Sequence, residues 1–156
     1  KKKGLKDLVV VSPDAGGTKA AKKLADKLGA DLAMMHKTRP THHEAEIIDV
    51  VGEIEGKTAL IYDDMIDTAG STIAAKDALV QQGANKDIYV AATHAILSGL
   101  AVKRLSDAGF KEIVVTDSIP TESKDIPGLT ILSIAPLLSE VIEHVVEGTS
   151  VTEMYE

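Results

Sequence analysis

Residues 59–72 confine this chain to a narrow class of folds. An unbroken apolar run over residues 59–62 predicts a buried parallel strand, and Asp63 and Asp64 follow it at once. A turn of small residues comes next, and the pattern of residues 73–79 predicts a helix. A parallel strand that leads through a short turn into a helix is the repeating unit of α/β folds, so we expect this architecture for the whole chain.

The remaining chain repeats the same order of strand and helix. Ala21, Leu24, Ala25 and Leu28 recur at the spacing of one helical face. The predicted strands cover residues 8–12, 31–35, 47–51, 88–93, 112–116 and 129–133, and the further predicted helices cover residues 19–28, 100–108 and 136–146. The predicted fold class is α/β, a doubly wound parallel sheet flanked by helices, and its last helix closes the fold. The polar residues 36–46 are predicted to form a mobile loop.

Length, composition and charge limit the number of domains and the classes of partner. The 156 residues, 44% of them hydrophobic, suffice for one substantial core, so a single domain over residues 1–156 is expected. No apolar run approaches the ~20 residues that cross a bilayer, and the lysine-rich start has no apolar signal-peptide core. The net charge of −7 disfavours nucleic acid, and the lack of cysteine is compatible with a reducing cytoplasm. We therefore expect no membrane and no nucleic-acid partner.

The turn after the acidic pair has the composition of a phosphate site. Its members are small or carry a hydroxyl: Thr68, Ala69, Gly70, Ser71 and Thr72. Their peptide N–H groups can approach a ligand closely, and the N-terminus of the following helix attracts a phosphate. Asp63 and Asp67 would repel a phosphate, so we expect them to face sugar hydroxyls or a metal ion. One segment thus suits both ends of a phosphorylated sugar.

Each of these residues also has a plain structural explanation. An acidic pair after a strand is common turn chemistry, and Asp67 or Thr68 can simply cap the helix. Two other phosphate-binding motifs are excluded by the residues themselves. The lysine of a P-loop is missing here, and the glycine pattern of a dinucleotide fold occurs nowhere in the chain.

A second strand-to-helix turn has a similar composition. Pro13 ends the first predicted strand, and the turn continues through Asp14, Ala15, Gly16 and Gly17. The glycines leave N–H groups exposed at the start of the next helix, which is an anion-binding arrangement. The alternative is an ordinary turn in which Asp14 caps the helix.

Four segments carry a resemblance to a known family. Residues 63–72 resemble the phosphoribosyl pyrophosphate (PRPP) motif of type I phosphoribosyltransferases and of PRPP synthetases, which are also called ribose-phosphate diphosphokinases. The other three resemble the synthetases: residues 9–17, the segment Lys37-Thr38-Arg39-Pro40 and residues 93–99. These segments span most of the chain in family order. The chain is therefore identified as similar to the C-terminal half of a PRPP synthetase, with a type I phosphoribosyltransferase-like fold.

The resemblance implies how the ribose 5-phosphate side of the site works. Lys37 and Arg39 would form the catalytic loop, and Arg39 would also bind this substrate. Asp63 and Asp67 would orient the ribose hydroxyls, and residues 67–72 would bind the 5-phosphate.

The resemblance also implies a diphosphate side and a regulatory site. Residues 14–17 would face the diphosphate, and Asp14 would help to hold Mg²⁺ together with a histidine from the N-terminal half. Ser150 and Thr152 are similar to a hydroxyl pair at an allosteric phosphate or ADP site between family subunits.

The implied reaction transfers diphosphate from Mg-ATP to the 1-hydroxyl of ribose 5-phosphate, giving PRPP and AMP. The expected partners are these two substrates, the absent N-terminal half and, in the full enzyme, further copies in a homo-oligomer. The resemblance places the enzyme in the cytoplasm, and we expect the isolated chain to be inactive.

Two alternatives remain open. A type I phosphoribosyltransferase would share residues 63–72 but not the segments at Asp14 and Lys37 in this form. A non-catalytic, synthetase-associated regulator would keep the fold while changing catalytic-loop residues. The presence of Lys37, Arg39 and both ribose-facing aspartates argues against the regulator.

Overall fold

The computed structural model describes residues 4–38, 47–121 and 124–155. The elements in chain order are β1 (Leu8–Ser12), α1 (Thr18–Leu28), β2 (Asp31–Thr38), β3 (Ile47–Val51), β4 (Thr58–Ile66), α2 (Gly70–Gln81), β5 (Tyr89–Ala95), α3 (Ala101–Ala108), β6 (Glu112–Thr116), β7 (Leu129–Leu132), α4 (Ala135–Glu147) and a 3₁₀ turn (Thr152–Tyr155). The strands form one sheet in the order β3-β2-β1-β4-β5-β6-β7.

The strand order reverses beside β1. This strand pairs in parallel with β2 on one side and with β4 on the other. The segments that follow two such strands lead to opposite faces of the sheet and leave a crevice at the carboxyl ends. The predicted α/β class, with a mostly parallel sheet flanked by helices, is confirmed.

One edge of the sheet departs from the predicted parallel arrangement. β3 runs antiparallel to β2, with Thr38 opposite Ile47 and Met34 opposite Val51. Residues 39–46 are too few for a parallel crossover, which needs roughly a dozen residues or more. A short connection between neighbouring strands therefore forces the antiparallel pairing.

β4 is longer than its apolar run predicted. The strand continues through Asp63 and Asp64 to Ile66 because Asp63 pairs with Ala92 on β5 and Ile66 pairs with Ala95. Ile66 is buried, which holds this end of the strand against the core. The acidic residues therefore lie on the strand itself and not in a turn after it.

Two further boundaries differ from the predictions. β2 includes His36 and runs to Thr38, so the first part of the predicted loop is strand, and residues 39–46 lie outside the described residues. α2 begins at Gly70, within the small-residue segment, and not at residue 73. The bounds of the remaining elements agree with the predictions to within two residues.

Helices lie on both faces of the sheet. On one face, Leu79 of α2 and Leu105 of α3 pack in the main core. The buried strand residues of that core alternate along β4, β5 and β6: Ala59, Ile61, Val90, Ala92, Ile113 and Val115. On the other face, α1 packs Ala21 and Ala25 against Val10. Among the described residues, none of the helices is both long enough and apolar enough to span a bilayer.

Candidate active site at the carboxyl ends of β1 and β4

A polar cavity lies where β1 and β4 end. Its volume is about 420 Å³. Its lining combines the β1–α1 turn with the end of β4 and a residue of β5: Asp14, Gly16, Gly17, Ala20, Tyr62, Asp63, Asp64 and Thr93. This is the crevice that the reversed strand order creates, so the fold brings the β1–α1 turn beside the carboxylates of β4, whereas residues 67–72 do not line this cavity.

Hydrogen bonds within the β1–α1 turn fix its shape. The buried Ser12 hydroxyl donates to the Asp14 carbonyl at 2.7 Å, and Asp14 Oδ1 accepts from the Gly17 N–H at 2.8 Å. A Cβ on Gly17 would lie 2.9 Å from Ser12 Oγ, so a side chain there meets a buried neighbour. The Thr18 N–H donates to the Ala15 carbonyl at 3.4 Å as α1 begins. Asp14 thus closes the turn with one carboxylate oxygen.

Three carboxylates share this cavity, and their proximity changes the titration of one. The pKa of Asp63 is raised to about 6, chiefly by burial and to a smaller extent by a side-chain hydrogen bond with Asp64 and by the negative charges of Asp64 and Asp14, against the opposing effect of a backbone hydrogen bond. That bond is donated by the Asp64 N–H to Asp63 Oδ1 at 2.8 Å. Burial is the main cause of the raised pKa, and the neighbouring negative charges add to it, so a cation at this place would be favourable.

The carboxylates of the cavity fit a Mg²⁺ ion that substrate phosphates also bind. Three carboxylates line the cavity, but in the described part of the chain no three acidic, histidine or cysteine side chains are placed so that they could hold a metal ion by themselves. Mg²⁺ in phosphoryl-transfer sites is commonly held by one or two carboxylates together with substrate phosphates and water. Asp14 and Asp63, both lining the cavity, provide oxygens of that kind.

The start of α2 is open to a ligand. The residue that precedes the helix is Ala69, and no side chain caps the first turn within the described residues. The alternative in which Asp67 or Thr68 caps this helix is therefore wrong. The first N–H that bonds back to the turn is that of Ile73, donated to the Ala69 carbonyl at 3.0 Å. The N–H groups of residues 70–72 thus meet the requirement for anion binding.

The turn before α2 is held in an unusual backbone conformation. Ala69 has φ 61° and ψ 9° and is buried. A residue with a side chain rarely adopts this left-handed region, so surrounding contacts must hold it there. Thr72 is buried as well, so the first turn of α2 is held against the core.

Two residues that the sequence did not single out hold this turn. The Ser98 hydroxyl donates to Asp67 Oδ1, and the Ser98 N–H donates to the Asp67 carbonyl at 3.1 Å. The Arg104 guanidinium donates to the Thr68 carbonyl at 2.8 Å. Ser98 lies in a segment already noted for its resemblance, but no local signal marks Arg104, since its partner is far away in the sequence.

Comparison with known proteins shows the family to which this chain belongs. Residues 37–156 match the family model described as the phosphoribosyl synthetase-associated domain. The chain belongs to this family.

Individual members and related structures agree with this assignment. The ribose-phosphate pyrophosphokinase of Aquifex aeolicus is 47% identical over 97% of this chain and 48% of its own length. The crystal structure of phosphoribosylpyrophosphate synthetase from Mycobacterium smegmatis matches with a TM-score of 0.82 and 48% identity, over 91% of this chain and 46% of that one. The chain spans about half the length of the relatives it matches.

A more distant similarity shows the fold alone. Adenine phosphoribosyltransferase from Thermoanaerobacter pseudethanolicus matches at 22% identity with a TM-score of 0.54, over 72% of this chain and 70% of that one. The phosphoribosyltransferase-like fold predicted from the resemblance is therefore confirmed for this member of the synthetase-associated family.

The remaining predicted site residues lie next to undescribed residues, outside the described residues, or near the end of the chain. Lys37 lies near the end of β2, with its backbone opposite Ile48, and Arg39 lies outside the described residues. Ser150 and Thr152 follow α4, where the Thr152 N–H donates to Ser150 Oγ at 3.3 Å. Neither of these two residues lines the cavity.

Proposed function

We propose that this chain is the half of a ribose-phosphate diphosphokinase that binds ribose 5-phosphate and carries the catalytic loop. The complete enzyme would transfer diphosphate from Mg-ATP to the 1-hydroxyl of the sugar, giving PRPP and AMP. The observation that carries the proposal is the uncapped first turn of α2, which lies directly after the carboxylates of β4. Membership of the synthetase-associated family supports the same assignment.

The segment from β4 to the first turn of α2 would bind both the phosphate and the ribose hydroxyls of the substrate. The N–H groups of residues 70–72 would bind the 5-phosphate, and the hydroxyls of Thr68 and Ser71 would add donors. Ser98 engages one oxygen of Asp67, so the other oxygen is available to accept from a ribose hydroxyl. Asp63 would accept from the second hydroxyl. These contacts orient the anomeric hydroxyl toward the rest of the cavity.

The β1–α1 turn would hold the group being transferred. Residues 15–17 present backbone at the start of α1, and Asp14 would hold Mg²⁺ together with the substrate phosphates. When bound, the metal ion neutralises charge on the diphosphate. Because Asp14 Oδ1 already accepts from the Gly17 N–H, the turn keeps its second carboxylate oxygen in a fixed position.

Lys37 and Arg39 would supply the positive charge that this acidic cavity lacks. Negative charge builds on the phosphoryl oxygens and on the leaving AMP during transfer, and cations placed beforehand stabilise it. One such contact can contribute about 10³-fold to the rate. We assign the catalytic contact to Lys37 and a combined catalytic and substrate-binding contact to Arg39.

The rest of the enzyme would come from the other half and from further copies. The relatives are about twice as long as this chain, so an N-terminal half would provide most adenine contacts and the remaining metal ligand. In this arrangement residues 1–156 form one phosphoribosyltransferase-like domain, and the complete cytoplasmic enzyme is a homo-oligomer. Ser150 and Thr152 would contribute to an allosteric anion site between its subunits.

A fusion experiment tests the proposal. The chain alone, and the chain fused to the N-terminal half of the Aquifex aeolicus relative, are incubated with Mg-ATP and ribose 5-phosphate while AMP and PRPP are measured. The fusion should form both products in equal amounts, and the chain alone should form neither. Lys37→Ala should abolish turnover in the fusion, whereas Lys27→Ala, which removes a charge from the end of α1, should not.

Two outcomes would overturn it. Stoichiometric turnover by the chain alone would show that the site is not split between halves. Consumption of PRPP with a free nucleobase, without formation of PRPP by the fusion, would instead identify a phosphoribosyltransferase.

A further inference from the structure

Side-chain hydroxyls join β5 and β6 where the backbone ladder between them ends. The last pair of this ladder is Ala91 opposite Val114. Beyond it, the Thr93 carbonyl accepts from the Thr116 hydroxyl at 2.7 Å and from the Ser118 hydroxyl at 3.0 Å. These hydroxyls replace the N–H donors that a continued ladder would supply. The two strands are therefore connected at their carboxyl ends through side chains.

The same hydrogen bonds determine which nitrogen of His94 carries the proton. Nδ1 of this ring lies 2.9 Å from the Ser118 hydroxyl oxygen. A serine hydroxyl has one proton, and Ser118 donates it to the Thr93 carbonyl. The hydroxyl oxygen can then only accept, so Nδ1 of His94 must be the donor in this contact. In the neutral ring, Nε2 is therefore unprotonated and acts as an acceptor.

Nε2 of His94 lies on the side of the ring away from β6. The two nitrogens of an imidazole ring are on opposite sides of it, and Nδ1 is held toward Ser118, which follows β6. The order of these strands in the sheet is β4-β5-β6, so Nε2 is directed to the β4 side of β5. His94 is exposed, which allows a ligand to reach this nitrogen.

The neighbouring part of β4 carries the carboxylates assigned to the ribose. His94 lies opposite Met65, between the positions of Asp63 and Asp67. Ser98, in the segment that follows β5, donates to Asp67 Oδ1. Strands ~4.8 Å apart with a rise of ~3.3 Å a residue place the Cα atoms of His94 and Asp63 about 8 Å apart. This separation allows both side chains to contact one sugar ring.

We propose that His94 is the general base of the diphosphate transfer and accepts the proton of the anomeric hydroxyl on Nε2. The inference rests on the proposed function, in which Asp63 and Asp67 accept from two other hydroxyls of the ribose. The oxygen of the 1-hydroxyl forms a bond to the β-phosphorus of ATP, and the bond from this phosphorus to the α,β-bridging oxygen breaks. AMP leaves with the electron pair, and the hydroxyl proton passes to Nε2.

The contact with Ser118 suits both protonation states of the ring. Nδ1 of His94 donates to the Ser118 hydroxyl before and after proton transfer, so the ring keeps its orientation when Nε2 gains a proton. Ser118 is therefore a positioning residue for His94.

The charges on the neighbouring elements favour the imidazolium that forms. Asp63 and Asp64 lie on β4, Asp67 follows this strand, and Asp117 follows β6. Arg104 of α3 is the nearby cation in the described part of the chain, and it donates to a backbone carbonyl of the α2 turn. A positive charge on His94 would thus be surrounded mainly by carboxylates.

Nitrogen NMR of the ¹⁵N-labelled chain tests the proton assignment without any substrate. At pH 8, the His94 ring should carry its proton on Nδ1 and leave Nε2 unprotonated. Ser118→Ala removes the acceptor and should move the proton toward Nε2, the tautomer that histidine prefers in water. Ser106→Ala, which removes a hydroxyl that donates to a carbonyl within α3, should change nothing. A proton on Nε2 in the unmodified chain would overturn the proposal.

The fusion with the N-terminal half of the Aquifex aeolicus relative tests the base itself. His94→Asn keeps an N–H for Ser118 but has no Nε2, so kcat should fall by about 10²-fold or more with little change in KM for ribose 5-phosphate. Free imidazole should restore part of kcat, since it replaces a missing base but does not repair a misshapen site. His144→Asn, at the end of α4, should keep the kcat of the unmodified fusion.

The possible results separate this inference from the proposed function. A fusion that forms no PRPP overturns the proposed function, and the role of His94 as well. A working fusion in which His94→Asn retains its kcat overturns the role of His94 alone. A rise in KM for ribose 5-phosphate at unchanged kcat also overturns it, because His94 would then bind the sugar without acting as a base.

Discussion

Arg104 shows how one side chain can control a site that it does not line. Its guanidinium bonds to the Thr68 carbonyl, next to Ala69 in its left-handed conformation. The contact orders the turn whose N–H groups are proposed to bind phosphate. Arg104 is therefore a positioning residue for the α2 turn.

Replacing Arg104 by Ala should weaken ribose 5-phosphate binding by about tenfold, since a hydrogen bond from a charged donor contributes ~1.5–3 kcal/mol. Calorimetry with ribose 5-phosphate measures the change. Amide exchange of residues 68–70 without ligand should also accelerate, which a surface charge effect would not produce. Lys103→Ala is the control, because Lys103 pairs with Asp107 on the exposed side of α3. An equal loss of affinity in both variants would contradict a positioning role.

Asp63 should make stability depend on pH. Its folded pKa of about 6 lies above its ordinary value of 3.8, so the folded state binds the proton more tightly. This contribution is fully present below pH 3.8 and is lost as the pH rises through about 6. Asp63→Asn should therefore raise Tm relative to the unmodified chain at pH 7 but not at pH 4.

Solvent screening reduces the effect of a half-exposed carboxyl group, so we expect Asp63→Asn to stabilise the fold by only ~1 kcal/mol at pH 7. In a chain of this size, that corresponds to a rise in Tm of about 2–4 °C. Differential scanning calorimetry at both pH values provides the measurement. Asp107→Asn, in the exposed pair on α3, should show no such dependence. A gain for Asp63→Asn that stays constant from pH 4 to pH 7 would rule out this origin.

At the scale of the elements, the β1–α1 turn depends on a close approach that only glycine permits. Gly17→Ala would place a methyl group 2.9 Å from the fully buried Ser12 Oγ, which cannot move into solvent. We expect a loss of ~1–3 kcal/mol in the free energy of unfolding, measured in urea. Gly16→Ala should cost less, since its nearest neighbour is the exposed Asp14 carboxylate at 3.3 Å. The reverse ranking would contradict this account of the turn.

Local sequence patterns predicted which helices and strands form better than they predicted the contacts between them. The apolar run at 59–62 and the amphipathic spacing of α1 each depend on neighbouring residues, and both elements exist. The extension of β4 to Ile66 depends on pairing with β5, which no local pattern encodes. The same limit explains why the sequence indicated the phosphate turn but not Arg104, whose partner is on another element.

At the scale of the whole molecule, the sequence also could not indicate what α4 covers. The order of the elements predicted a helix that closes the fold, but none of the residues of α4 is buried in the structure. Whether an amphipathic helix packs within its own chain or on another depends on contacts with other elements. The spacing of its residues is the same in both cases.

The binding of ribose 5-phosphate to the α2 turn is the central claim, and an NMR titration of the chain tests it most directly. Ribose 5-phosphate should shift the amide signals of residues 67–72, and Asp67→Asn should weaken the binding. Ribose without the phosphate should leave those signals unchanged. Amide shifts confined to other parts of the chain, or equal shifts with ribose, would contradict the account.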